Sequence, residues 1–349
     1  MQYFKLFNSC RVVKGATNSM IYDLERMDNS NTIPDSIYEI LTNYVNKTVE
    51  EIKAVYNNKY DVIIDEYFDF LIKNEYIFFC TKEELALFPT INFEWESPKT
   101  ITNSIIDYDG TLNTSDYRKF IKELSKLGCE AVQIRSFVSV TLNELKEFIF
   151  LFEETSILSI ELIFKFNADL SDNEIIELQK QYPRIRKVDI YSSPNNKDDY
   201  FITHSQGNIN PEKDCGKIES KFFSIGFETF SEAQCHNTCL NQKISVDRNG
   251  LIKGCPSMKQ SFGNIAKNTI NDVLEKKEVQ KLWTINKDEI EICKDCEYRY
   301  CCTDCRVFTD HKDNNYSRPS KCNYNPYLGL WKGEEGYIDV LELLTNKKQ

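Results

Sequence analysis

Cys293-Lys294-Asp295-Cys296-Glu297-Tyr298-Arg299-Tyr300-Cys301-Cys302-Thr303-Asp304-Cys305 is the densest piece of chemistry in this chain. Five thiols fall within these 13 residues, joined by intervals too short for a strand or a long helix. Such a segment wraps back on itself and points several sulfurs at one place. Thiolate sulfur favours soft centres: zinc, copper(I) or iron–sulfur clusters. Cys235, Cys239 and Cys255 precede the stretch and Cys322 follows it. Nine of the chain's 13 cysteines therefore lie between Cys235 and Cys322.

The spacing around that stretch is ordered. Ile244 to Ile252 reads as a tight hairpin with Asn249-Gly250 as its turn. It folds Cys255, at the end of a Gly-x4-Cys run from Gly250, back towards Cys239. A helix through Val273, Leu274, Val279, Leu282 and Trp283 separates this half from Cys293-x2-Cys296-x5-Cys302-x2-Cys305 and then Cys322. Taking Cys301 in place of Cys302 gives a final interval of three residues instead of two, so both stay open as ligands. Cys10, Cys80, Cys129 and Cys215 are isolated and read as buried, inert thiols.

Compartment decides between metal and disulfide. The N-terminus has no long apolar core, so no secretory signal is expected. No run approaches the ~18–20 apolar residues that span a membrane. A cytoplasmic protein keeps its thiols reduced, and metal binding is the reading of the cluster. The 43 basic and 54 acidic residues leave a net charge of -11, which argues against a nucleic-acid partner. Hydrophobic residues make up 41%, with 22 Phe and 19 Tyr, enough for real cores.

Residues 98–225 alternate strands and helices. Strands are expected at Thr102–Tyr108, Ala131–Val138, Ser159–Phe166, Lys187–Tyr191 and Tyr200–His204. Helices are expected at Ser115–Leu127, Leu142–Glu154 and Ser171–Tyr182. Tyr117, Phe120, Ile121 and Leu124 share one face, and Ser171 with Glu174 forms a capping box. Strand–helix repetition means parallel strands with right-handed crossovers, in a partial α/β barrel or an open sheet. Asp107 and Asp109, at a strand end, are read as turn formers. No phosphate-binding glycine pattern occurs among the 12 glycines.

Residues 1–85 begin with a hairpin, Phe4–Val13 and Ser19–Leu24 around Lys14-Gly15. A helix follows from Pro34-Asp35 through Ile37, Ile40, Leu41 and Tyr44. A second is capped by Thr48 and Glu51, with Val49, Ile52 and Val55 inward. A third carries Ile63, Tyr67, Phe70 and Leu71, and then comes a strand at Tyr76–Phe79. The acidic residues of the third helix, Asp61, Asp65, Glu66 and Asp69, would repel phosphates.

That order, with Tyr38-Glu39-Ile40-Leu41, Thr48-Val49-Glu50-Glu51-Ile52 and Phe68-Asp69-Phe70-Leu71-Ile72, resembles the winged-helix-like peptide recognition element of ribosomal-peptide maturation systems. The resemblance implies that a leader peptide adds as a strand to an exposed edge of the hairpin sheet. The middle resembles the radical S-adenosylmethionine fold. That family's Cys-x3-Cys-x2-Cys signature is missing from Ile105-Ile106-Asp107-Tyr108-Asp109-Gly110-Thr111-Leu112-Asn113, so cleavage of S-adenosylmethionine is not expected.

Residues 226–330 resemble the SPASM domain, an auxiliary iron–sulfur module of peptide-modifying radical enzymes. The resemblance implies up to two [4Fe–4S] clusters. One would be held by Cys235, Cys239, Cys255 and Cys305, the other by Cys293, Cys296, Cys302 and Cys322. Zinc remains the alternative metal, because Cys-x2-Cys pairs suit it too.

Val13-Lys14-Gly15, Ile21-Tyr22-Asp23-Leu24, Cys302-Thr303-Asp304-Cys305-Arg306 and Cys322-Asn323-Tyr324-Asn325-Pro326-Tyr327 narrow the likeness. Together they resemble the SPASM-domain maturases of grasp-with-spasm systems, and residues 331–349 form a tail. This implies a precursor peptide and an ATP-grasp ligase as partners. Three roles stay open: a non-catalytic presenter of the precursor, a cluster-dependent redox enzyme, and a zinc-stapled interaction protein.

Overall fold

The computed structural model describes residues 2–110, 113–209, 218–312 and 314–346. The chain divides into two compact units, each built from separate segments. Unit 1 is Met1–Trp95, Lys217–Thr238 and Ile285–Gln349, and unit 2 is Glu96–Gly216 with Cys239–Thr284. The fold class is α/β.

Unit 1 opens with β1 (Tyr3–Leu6), β2 (Cys10–Lys14), β3 (Ser19–Asp23) and β4 (Asn31–Ile33). Then come α1 (Asp35–Asn43), α2 (Val49–Val55), α3 (Asp61–Lys73), β5 (Ile77–Cys80) and the short α4 (Lys82–Leu85). The expected hairpin is β2–β3, antiparallel from Cys10↔Asp23 to Lys14↔Ser19, and β4 adds a third strand. The first strand is shorter than expected. The Cys10 N–H donates to the Phe7 carbonyl, and this turn splits Phe4–Val13 in two. The earlier half, β1, pairs with β5 instead.

The capping box of Thr48 and Glu51 forms as read. Of the second helix's expected inward residues Ile52 is buried and Val55 is exposed. On the third helix Leu71 is buried as expected and Tyr67 and Phe70 lie partly buried against the core, but Ile63 gives way to its neighbour Ile64. Ile64, Phe68 and Leu71 are its buried residues, and Ile63 is 43% exposed. Nearly every non-acidic position from Val62 to Ile72 is apolar, so either stripe was available. The stripe that wins sets Phe68 edge-on against Phe4.

β3 is buried along its whole length because both its faces are covered. Side chains alternate across a strand. Ile21, with Cys10 and Ile33, joins the core under α1, α2 and α3. Met20 and Tyr22, with Val13, pack instead against Phe230 and Cys301 from the later segments of the unit.

Unit 2 runs β6 (Asn103–Tyr108), α5 (Thr114–Lys126), β7 (Ala131–Ser139), α6 (Leu142–Phe150), β8 (Ser159–Lys165), α7 (Asp172–Gln181), β9 (Ile185–Tyr191) and β10 (Ile202–His204). The chain passes through α8 (Phe227–Cys235) of unit 1. It returns to unit 2 for β11 (Ser245–Val246), β12 (Leu251–Lys253), β13 (Gly263–Asn264), α9 (Ile270–Leu274) and α10 (Lys277–Trp283). Unit 1 then closes with β14 (Tyr324–Asn325), β15 (Leu330–Trp331) and α11 (Val340–Asn346).

The eight strands of unit 2 form one sheet in the order β10-β9-β8-β7-β6-β11-β12-β13. Strands β6 to β10 are parallel and each joins its sequence neighbour, as the alternation implied. Right-handed crossovers that always step the same way put α5, α6 and α7 on one face. Tyr117, Phe120, Ile121 and Leu124 of α5 are buried as expected, and α7 starts on the Ser171–Glu174 capping box. The hairpin β11–β12 turns at Gly250, whose φ of +74° needs no Cβ. Asp247 fixes that turn, accepting from the N–H groups of Asn249 and Leu251. The helix expected through Val273 and Trp283 is two, α9 and α10. No described helix is long and apolar enough to cross a membrane.

Candidate metal centre

Cys293, Cys296, Cys302 and Cys322 line a single pocket of unit 1. Each sits in a tight turn. Cys293 opens a one-turn 3-10 segment, and the Cys296 N–H donates to the Cys293 carbonyl. Cys302 N–H donates to Tyr298 O, and Cys322 N–H to Pro319 O. Ile292, another lining residue, holds a φ of +68°. A β-branched residue there is strained, and strain of this kind collects at functional sites.

Cys301 faces elsewhere. It is 1% exposed, within the apolar cluster of Val13, Met20, Tyr22, Leu24 and Phe230, and its thiol points at the Tyr298 carbonyl. The adjacent thiols therefore divide the work: Cys302 is on the pocket and Cys301 is in the core.

Burial pushes the Cys293 thiol up to about 12, and raises Cys296 and Cys302 well above the ordinary thiol value. Three basic residues, Lys287, Arg299 and Arg318, share the pocket lining. Lys287 Nζ lies 3.2 Å from Asp304 Oδ1, which also accepts from Arg306 Nη2 at 2.7 Å and from the Cys305 N–H at 2.7 Å. Burial alone would lower the Lys287 ammonium, and the Asp304 carboxylate raises it instead. Arg318 pairs through Nε with Asp310 Oδ2 at 3.0 Å. Lys287 Nζ and Arg318 Nη1 are both buried and neither makes a hydrogen bond.

Among the described residues no three Cys, His, Asp or Glu side chains converge as they would on a single ion. Zinc draws its sulfurs to ~2.3 Å of one point. Four cysteines on one lining are the donor set that a four-iron cluster takes, and tetrahedral zinc takes the same set.

The other expected set is placed differently. Cys235, exposed at the end of α8, and buried Cys305 belong to unit 1, while Cys239 and buried Cys255 belong to unit 2. Lys243 Nζ lies 4.0 Å from the Cys239 sulfur. Cys10, Cys80 and Cys129 are buried. Burial raises all three thiols, Cys10 and Cys129 to about 12. Cys215, Thr111 and Leu112 lie outside the described residues.

Asp107 overturns its reading as a turn former. Its carboxylate takes both Arg135 Nε at 2.7 Å and Nη2 at 2.9 Å, in a buried bidentate pair between β6 and β7. Alternation puts both on the sheet face opposite Ile106 and Ile134. The sequence also gave no sign of Lys287, Asp304 and Arg318 as one group. They come together by folding, and no fixed interval announces them.

Residues 235–297 match the SPASM family, described as an iron-sulfur cluster-binding domain. The chain carries a SPASM domain. The matched stretch contains Cys235, Cys239, Cys255, Cys293 and Cys296; Cys302, Cys305 and Cys322 follow it. No curated protein matches the sequence. Two crystal structures of Streptococcus suis SuiB superpose on 93% of this chain and 100% of theirs. One is bound to S-adenosylmethionine (13% identity) and one to the precursor peptide SuiA (10%), each with a TM-score of 0.38.

Proposed function

We propose that this protein is a maturation factor for a ribosomally made peptide: it binds the precursor through its N-terminal element, works beside an ATP-grasp ligase, and holds [4Fe–4S] clusters in its SPASM domain. The observation that carries the metal part is the convergence of Cys293, Cys296, Cys302 and Cys322 on one pocket, beside the iron-sulfur family match. Cys302, not Cys301, is the ligand in this reading. Cys235, Cys239, Cys255 and Cys305 would hold a second cluster. Zinc is the competing occupant.

The peptide part is supported by the sheet edges of unit 1. Leu24 N–H donates to Ser9 O and Gly15 N–H to Asn18 O, so the bonded pairs of the hairpin use odd-numbered residues of β2. Cys10, Val12 and Lys14 turn outward. Two of their carbonyls are already taken, Cys10 O by the Arg11 guanidinium and Lys14 O by Arg299. The outer edge of β4, with exposed Thr32, carries no further strand among the described residues. A leader strand would add there.

The test has two arms. Iron, sulfide and zinc per chain are measured on anaerobically purified protein, with about eight iron and matching sulfide expected for two clusters. Zinc without sulfide overturns the cluster reading. Precursor peptides encoded beside the gene are titrated against wild type and Thr32→Pro. Binding that the proline weakens at least tenfold supports edge addition, and no binding overturns the maturation role while leaving the cluster standing.

A further inference from the structure

Two buried cations on the cysteine pocket each keep a donor unspent. Lys287 and Arg318 are each only 4% exposed. Both line the pocket with Cys293, Cys296, Cys302 and Cys322. Each is held from behind by a carboxylate, Asp304 for Lys287 and Asp310 for Arg318. Lys287 Nζ, though ion-paired to Asp304, makes no aligned hydrogen bond, and Arg318 Nη1 has no hydrogen-bond partner. A buried donor of this kind is suited to an acceptor placed in the pocket.

A four-cysteine four-iron cluster answers both needs. Four thiolates around such a core leave a net negative charge, and the sulfides and thiolates accept hydrogen bonds. Each one-electron reduction adds a further negative charge to the cluster without making or breaking a bond. Cations and N–H···S bonds stabilise that added charge and raise the potential.

We propose that Lys287 and Arg318 are the residues that set the reduction potential of the cluster held by Cys293, Cys296, Cys302 and Cys322, each donating to it from one side of the pocket. This rests on the cluster reading above and assigns positioning roles, not ligand roles. Asp304 and Asp310 orient the two cations, and the same pairing keeps the cations' charge from being expelled from the buried site.

The test uses the full-length, anaerobically purified protein, reduced stepwise with dithionite as the electron donor. Lys287→Met and Arg318→Met remove a charge and a donor while keeping bulk. The expected result is unchanged iron and sulfide per chain. At a fixed poise the ratio of reduced to oxidised cluster falls at least tenfold per variant, a shift of 59 mV for a one-electron couple. Arg318→Lys should recover most of it. A potential that does not move, with iron retained, overturns the proposal.

Because a variant can lose its cluster on folding, a second measurement uses wild type alone. The reduced cluster is examined by pulsed electron paramagnetic resonance in protein labelled with 15N-lysine and, separately, 15N-arginine. Side-chain nitrogen couplings in both samples support the assignment, and none in either overturns it. If the wild type holds no iron, the cluster reading itself has failed, and this assignment with it.

Discussion

Tyr22, in the middle of β3, donates its hydroxyl to the backbone carbonyl of Glu297 at 2.5 Å. The residue before Glu297 is Cys296, so an N-terminal strand is fastened to the backbone that carries a pocket thiol. Tyr22 is fully buried and sits edge-on to Phe230, and the Tyr324 hydroxyl reaches the Glu297 side chain. Tyr22→Phe keeps the ring and orphans the carbonyl. It should cost about 1–2 kcal/mol, the usual penalty for an unsatisfied buried group. Urea unfolding followed by tyrosine and tryptophan fluorescence measures this. A loss within error would mean that the hydroxyl does not fasten the two segments.

The adjacent thiols Cys301 and Cys302 should behave oppositely. Cys302→Ala removes a sulfur from the pocket and should lower iron by up to one cluster, about four atoms per chain. Cys301→Ala should leave iron unchanged and cost about 1 kcal/mol through the small cavity it opens among Met20, Tyr22 and Phe230. Cys129→Ala, far from both in the sequence and within the core of unit 2, should also leave iron alone. Iron lost from Cys301→Ala but kept in Cys302→Ala would reverse the assignment.

Local signals explain what was legible beforehand. The strands β6 to β9 and their helices announce themselves by apolar period and capping boxes, as at Ser171 and Glu174, and these are interactions between near neighbours in sequence. The cysteine spacing told which thiols belong to a metal module. It could not separate Cys301 from Cys302, because that choice is made by Val13, Met20 and Tyr22, far earlier in the chain. The face of α3 was only partly legible, for a related reason. Two apolar stripes were nearly equal, and contact with Phe4 broke the tie. Asp107 was misread because a strand-end aspartate forms turns by default, and only the parallel register Asp107↔Arg135 reveals its partner.

That register makes a third prediction. Arg135→Leu leaves the Asp107 carboxylate buried without its bidentate partner and should destabilise unit 2 by about 3–5 kcal/mol. The double variant Asp107→Leu with Arg135→Leu should recover most of the loss, because a matched apolar pair often replaces a buried ion pair without cost. Amide exchange of β6 and β7 reads both. A double variant as unstable as the single one would show that the pair is needed for more than charge balance.

Acid should loosen β10 through one carboxyl. Asp172, at the start of α7, accepts from Lys197 Nζ at 2.8 Å and pairs with His204 Nε2 at 2.9 Å. Burial works to raise its pKa, but the Lys197 ammonium and the His204 ring outweigh it and hold it below the usual carboxylate value. A carboxyl depressed in the folded state contributes stability that is fully present above its unfolded value of ~3.9 and is lost as pH falls through the lower, folded value. His204 belongs to β10 and Lys197 bonds back to it, each donating its backbone N–H to the other's carbonyl. Protonating Asp172 therefore releases both from α7. Protection of the Ile202–His204 amides should fall as pH drops below about 4, and Asp172→Asn should show weakened protection already at neutral pH with a flatter acid response. Equal acid responses in the two proteins would place the sensitivity in another group.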